Sequence, residues 1–341
     1  MSRTQGVDRF QRAHTWAGFP IAVAYKMFDD RALYLAALVT YYAFVSLFPL
    51  LLLFTSVAGF VLQGDHHARQ ELINSAFSHF PGIASDLEKN ITGFRGSGAG
   101  LAVGVIGVLY GGLGAMQAAQ TAFNTIYAVP RNSQPNPIKS RIRSFGLLLL
   151  LGTGVLVTTG ISALFAAHSS LTAGLGTGVS VLSYVVTLIL NVALFTGAVQ
   201  LLTAWELKLR DVITGGAIAA VLWQVLQALG SRFVAHEVRH GNAFYGVFGV
   251  VLATIAWIYL EALALMVSAE INVVIHHRLW PRALLTPFTD NVELTPADIK
   301  AYSMYAAAQR FKGFEVVEAR FDRPRPPVSR PAPPRSSVKR R

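Results

Sequence analysis

Six long apolar runs, residues 33 to 62, 99 to 128, 144 to 167, 178 to 203, 212 to 235 and 244 to 275, constrain this chain more than any other feature. Each approaches or exceeds the roughly 20 residues with which a helix crosses about 30 Å of hydrocarbon. In lipid a segment must satisfy its own backbone N–H and C=O groups, so the runs predict helices, and they are too long for barrel strands of about 10 residues. With 53% of 341 residues hydrophobic and 14% charged, the chain holds more apolar surface than one soluble core can hide. The absence of cysteine excludes disulfides and thiolate metal sites. The expected fold class is all-α, a polytopic membrane bundle of six transmembrane helices.

The formal net charge of +11 is placed in the manner that sets membrane topology. The loop from Val129 to Arg143 carries Arg131, Lys139, Arg141 and Arg143 with no acid, and Ala204 to Asp211 carries Lys208 and Arg210. Both loops are expected in the cytoplasm. Residues 168 to 177 have no Lys or Arg and residues 236 to 243 only Arg239, which places them outside. An even number of spans then puts the basic N-terminus (Arg3, Arg9, Arg12, Lys26, Arg31) and the arginine-rich C-terminus inside. Residues 1 to 32 show no short apolar stretch before a small-residue cleavage site, so the first span is expected to act as an uncleaved signal.

Four regions follow: 1–32 with an interfacial helix, 33–275 as the six-helix domain, 276–321 as a cytoplasmic segment, and 322–341 as a disordered tail. In the first, Trp16, Phe19, Ile21, Tyr25 and Phe28 interleave with Arg12, Lys26 and Asp29, a mixture suited to a helix on the membrane surface. Between the first two spans, Leu72, Ile73, Ala76, Phe77 and Phe80 recur at helical spacing and predict extracytoplasmic amphipathic helix within 66 to 92. Thr295, Pro296 and Asp298 signal a helix start, with the helix running to about Phe311. The Pro- and Arg-rich sequence from Asp322 is read as a solvated tail drawn to anionic lipid heads rather than to nucleic acid.

Within the spans, Gly100, Gly104, Gly107, Gly111 and Gly114 alternate four and three residues apart, leaving a groove that another helix can approach. Pro49 lies midway along the first span and predicts a kink. Polar residues form narrow stripes: Tyr42 and Ser46 in the first span, Tyr110, Gln117, Gln120 and Asn124 in the second, Ser180, Tyr184, Thr187 and Asn191 in the fourth, and Gln224, Gln227 and Ser231 in the fifth. Such stripes face protein or water, either as interhelical hydrogen bonds or as the wall of a shared polar cavity. Glu261 lies near the middle of the sixth span, in line with Thr254, Ser268 and Asn272. A charge there costs about 2.5 to 3.5 kcal/mol to insert, so the carboxyl is expected to be protonated or hydrogen-bonded around an aqueous cavity. Glu270 stands nearer the cytoplasmic end, within reach of His276, His277 or Arg278.

The sequence HEVRH, His236 to His240, matches the H-E-x-x-H pattern in which two histidines one helical turn apart hold zinc and the glutamate acts as base. A third ligand would have to come from His66, His67, His79 or His168. The pattern falls in a short external connection, and a structural reading is preferred, with no metal and no cofactor.

Four motifs resemble the YihY/BrkB family, some members of which have carried the name ribonuclease BN. They are LAALVTYYAFVSLFPLLLLFTSVAGFV (Leu35 to Val61), Ala118 to Pro130 with Phe123, Asn124 and Tyr127, WELKLRDVITGGAIAAVLWQ (Trp205 to Gln224), and YGVFGVVLATIAWIYLEALALMVSAEIN (Tyr245 to Asn272) with Tyr245, Gly246, Trp257 and Glu270. The resemblance covers about residues 14 to 282. It implies a six-helix protein of the bacterial inner membrane linked to envelope integrity, with transport of a lipid or small molecule suspected. The partners expected are membrane lipids and such a substrate. The residues themselves offer the ribonuclease name neither a carboxylate cluster for metal nor a loop that cradles phosphate on the cytoplasmic side.

Overall fold

A computed structural model describes residues 3–61, 98–169, 176–240, 246–286, 288 and 292–322, and these are helical throughout their regular structure. Helices α1 (Arg3–Ala13) and α2 (Thr15–Asp29) precede six long ones: α3 (Ala32–Val61), α4 (Gly98–Ile126), α5 (Pro137–Ser169), α6 (Gly176–Leu202), α7 (Leu209–His240) and α8 (Gly246–His277). A last helix, α9, spans Pro296–Ala308. Tyr184–Leu202, Leu209–Gly230 and Val251–His277 are long and apolar enough to cross a bilayer, and Ala32–Leu47 is a shorter apolar stretch. Large apolar side chains such as Ile106 and Ile189 stand more than half exposed on the long helices, a surface that suits lipid and not water. The chain is a helical membrane protein.

Local chemistry sets the ends. Asn136 accepts the N–H of Lys139 through its side-chain oxygen and Pro137 follows at the first helical position, so α5 begins seven residues before its apolar run. Thr295 and Asp298 cap each other's backbone N–H groups and start α9, which stops at Ala308, short of the expected Phe311. Helices α4 and α8 finish alike. Val129 N–H bonds to Asn124 C=O and Ala128 N–H to Thr125 C=O, while Leu279 bonds to Val274 and Arg278 to Ile275. Both ends use a left-handed residue, Ala128 (φ 49°) and Arg278 (φ 52°), where glycine is usual. Arg31 (φ 56°) makes a third such corner between α2 and α3.

Each long helix packs on its neighbours in sequence and α8 closes back on α3, so the six form a ring, with α4 also reaching α6 and α8. The connections α2–α3, α4–α5 and α6–α7 and the segments flanking α9 gather at one end, called here the near end, and α2 packs there against α8 and α3. The main buried core lies at this end, built from Ala22, Ala36, Phe123, Ile126, Met266 and Val273 among others. Residues 62–97, 170–175 and 241–245 lie outside the described residues. So do the expected amphipathic segment 66–92, Tyr245, and the tail from residue 323.

Close approach explains the glycine groove of α4. A Cβ on Gly111 would lie 2.6 Å from the Cβ and 2.7 Å from the Cα of Ser46, on Gly114 it would strike the Tyr42 ring, and on Gly107 the Pro49 ring. Gly104 is buried on the same helix. Tyr42 and Ser46, expected around a polar cavity, therefore fill the groove of α4 instead. Helix α3 continues through Pro49, whose ring supplies the third contact. The device recurs around the ring, with Gly230 of α7 beneath the Trp257 indole of α8 and Gly216 of α7 against Thr196 of α6.

Gly111→Ala should thus force α3 and α4 apart and destabilise the protein by about 1–3 kcal/mol. Gly146→Ala, where nothing lies within 4 Å, should be neutral or stabilising by up to about 1 kcal/mol. Thermal melts of the two variants in detergent check the contrast, and equal effects would remove the packing explanation.

Candidate functional site

At the near end two buried charge clusters fasten the helices together. Lys26 of α2 is 1% exposed and donates to Asp30, in the corner after α2, and to the Ile126 carbonyl of α4 at 2.8 Å. Its Nζ also lies 3.4 Å from the Glu270 carboxylate of α8 and 5.4 Å from the centre of the Tyr305 ring of α9. One ammonium thus joins α2, α4, α8 and α9. Burial works against its charge, but Glu270 and Asp30 outweigh this and raise the Lys26 pKa above the ordinary lysine value. Asp30 is pushed up to about 6, because burial exceeds the stabilisation it receives from Lys26. Burial, with Asp30 and Asp29 nearby, also pushes the Tyr305 phenol up.

Arg282 centres the second cluster. It is 1% exposed and donates from Nε to Asp298 and from a terminal nitrogen to Asp29, both at 2.8 Å. Its guanidinium lies between the rings of Tyr25 and Tyr302, 5.8 and 5.3 Å from their centres. Asp298 accepts the Ala283 N–H as well, and Asp8 of α1 accepts that of Leu284. Burial disfavours the Arg282 charge, yet its bonds to Asp298 and Asp29 raise its pKa further. The chain after α8 is thereby bound to α1, α2 and α9.

Between these clusters and the turn Arg131–Ser133 lies a cleft of about 500 Å³. Asp29, Asp30, Arg31, Asn124, Arg131 and Tyr305 supply its polar wall. Of the residues expected in a polar core, Asn124 lines this cleft and also accepts the Ala204 N–H at 2.8 Å. The others lie elsewhere. Gln117 and Gln224 are half-buried on α4 and α7, and Asn191 is buried on α6. Glu261 is half-buried midway along α8, one turn beyond Trp257. Gln120 bonds to Ser140 and Ser144 of α5, so that stripe closes by direct contact. Asn272 does the same for three helices, donating to the Tyr127 hydroxyl and the Asp211 carbonyl and accepting the Gly215 N–H.

Glu270 meets Lys26 rather than His276, His277 or Arg278, because α2 is tucked into the bundle. The expected surface helix is therefore half right. Trp16 and Phe28 are about 70% exposed, but Ala22, Val23 and Lys26 are buried. Sequence reasoning missed Lys26, Asp30, Arg282 and Asp298. Lys26 and Asp30 stand four apart beside Ala22 and Val23, a spacing that signals a paired ion beneath an apolar face. His236–His240, expected in a connecting loop, form the last turn of α7, and their side chains lie outside the described residues. Among the described residues no group of three His, Asp or Glu is placed to hold a metal.

Two tests address the Lys26 cluster. Lys26→Met leaves two buried carboxyls without a cation and should cost about 3–5 kcal/mol, much of it recovered by adding Asp30→Asn and Glu270→Gln. No recovery in thermal melts would mean that Lys26 acts through packing alone. A carboxyl whose folded pKa is raised stabilises the fold while protonated. For Asp30 that contribution is complete below the ordinary value of 3.8 and is lost as pH rises through about 6. Melting temperature should therefore fall as pH rises from about 4 to about 6, and Asp30→Asn should flatten the fall.

The family model described as virulence factor BrkB matches residues 23–289. A UPF0761 membrane protein of Psychrobacter sp. is 24% identical over 269 residues, covering 76% of this chain and 48% of the relative. One of Rhodospirillum centenum is 26% identical over 255 residues, covering 72% and 55%. The chain thus spans about half the length of these two relatives. The ribonuclease-like protein YfkH of Bacillus subtilis is 26% identical over 264 residues, covering 71% and 90%. No solved structure matches. A match over this much of the chain, on a helical membrane scaffold, makes the protein a member of the BrkB family.

Proposed function

We propose that this protein is a multi-pass protein of the bacterial cytoplasmic membrane that moves or presents a lipid or small molecule, in support of envelope integrity. In this reading all six long helices span the bilayer and the near end faces the cytoplasm. The basic loops 129–143 and 204–211 both lie at that end, as the excess of Lys and Arg on cytoplasmic loops requires. The observation that carries the reading is the cleft of about 500 Å³, set at the near end between the α2–α3 corner, the end of α4 and α9, beside a buried ion cluster. Its volume is that of a small-molecule site, and its wall mixes polar and apolar surface where a bundle held only for strength would be closed.

The chain is proposed to be non-enzymatic, without a cofactor and without a nucleic-acid partner. A ribonuclease assay of the purified protein, showing metal-dependent cleavage lost on His236→Ala, would revive the hydrolase reading. A structural role without transport is the second reading, favoured by the direct contact of α3 and α4 along Tyr42, Ser46 and Pro49.

Reconstitution into liposomes with a panel of lipids and metabolites separates these readings. Flux or lipid flipping is expected from the native chain and is expected to fall at least about tenfold in Glu261→Gln, where a mid-membrane carboxyl is neutralised. Flux that is equal in both removes Glu261 from the route, and no flux of any panel member leaves the scaffold.

A further inference from the structure

We propose that the near-end cleft is a binding site for a phosphate-bearing anion, gripped by Arg31 and Arg131. The inference rests on the reading of the cleft as a ligand site and names the chemistry of its ligand.

Four charged side chains line the cleft: Asp29, Asp30, Arg31 and Arg131. Both acids pair elsewhere, Asp29 with Arg282 at 2.8 Å and Asp30 with Lys26, each sharing its cation with a second carboxylate, Asp298 or Glu270. Neither arginine meets a carboxylate among the described residues. Arg131 rests on the Phe311 ring, 4.9 Å from its centre, a contact that orients the guanidinium without neutralising it. Two cations are therefore left to an incoming anion, and the planar five-donor guanidinium fits the paired oxygens of phosphate.

Both arginines sit on fixed backbone. Arg31 occupies a left-handed corner that side chains rarely adopt (φ 56°), and its N–H is bonded to the Phe28 carbonyl. The Arg131 turn is tied to the end of α9, with Asn132 N–H bonded to the Arg310 carbonyl and Arg310 Nε to the Asn132 side chain. Asn124 spends its side-chain oxygen on the Ala204 N–H, so its NH₂ group is what it can offer to a ligand. The volume exceeds that of phosphate alone and leaves room for a glycerol or sugar substituent. An anionic-lipid headgroup and a soluble phosphorylated metabolite share this chemistry.

The test measures binding to the full-length protein in uncharged detergent, by thermal shift and titration calorimetry, with inorganic phosphate and with a short-chain phosphatidylglycerol. Binding of at least one probe is expected, weakened about tenfold or more by Arg31→Gln and by Arg131→Gln, and unchanged by Arg141→Gln, an exposed arginine that does not line the cleft. Phosphatidylglycerol binding alone assigns the site to a lipid headgroup, whereas binding of both assigns it to the phosphate group itself. Binding of neither probe, or binding indifferent to Arg31 and Arg131, overturns the proposal. Because the assay reads binding without flux, it stands apart from the liposome experiment. Binding indifferent to both arginine substitutions, with flux in liposomes retained, would overturn the phosphate site and leave the transport reading intact.

Discussion

The ammonium of Lys26, withdrawn from water and shared between Asp30 and Glu270, is the interaction on which the near end depends. A single buried cation has few acceptable environments, and removing a partner from such a group is far more costly than never having buried it. Here the partners come from different parts of the ring: Asp30 from the corner before α3, the Ile126 carbonyl from the end of α4, and Glu270 from α8. Their positions are correlated because one small group has to satisfy them all. Burial of Asp30 outweighs the stabilisation that Lys26 gives its charge, which is why a proton is retained there above the ordinary range for aspartate.

Around that point the bundle is held by surface fit. In lipid no hydrophobic force favours one apolar helix touching another, so close approach through small residues does the work. The α3–α4 contact shows the logic, with glycines on one helix and Tyr42, Ser46 and Pro49 on the other. Polar side chains contribute where backbone is left open. Asn272 closes the junction of α4, α7 and α8, and Gln120 that of α4 and α5. What had the look of a polar channel wall in one dimension is, at these positions, a set of local ties.

Periodicity and length made the helices legible, because an apolar run that has to satisfy its own backbone has one solution. The glycine groove was legible for the same reason, since alternate spacing of four and three defines a single face. Lys26 and Arg282 were not. A basic residue beside a span is by default a surface marker of topology, and the spacing of four between Lys26 and Asp30 is a weak local hint against that default. Their partners are far along the chain, Glu270 for Lys26 and Asp29 for Arg282, and such pairings exist only once the ring has closed. The cleft was hidden likewise, since its walls come from the corner at Arg31, the end of α4, the turn at Arg131 and the close of α9.

The ring closes through contact of its first and last long helices, and this has a bearing on biosynthesis. When α2 and α3 emerge, Asp30 is already beside Lys26 and can shield the ammonium, but Glu270 belongs to the final long helix and is made much later. Until α8 arrives, the first helices hold a half-neutralised charge at the membrane boundary, where water and lipid headgroups still reach it. Burial of that charge therefore waits for α8, and in a chain ending before it Lys26 keeps Asp30 as its carboxylate partner and lacks Glu270.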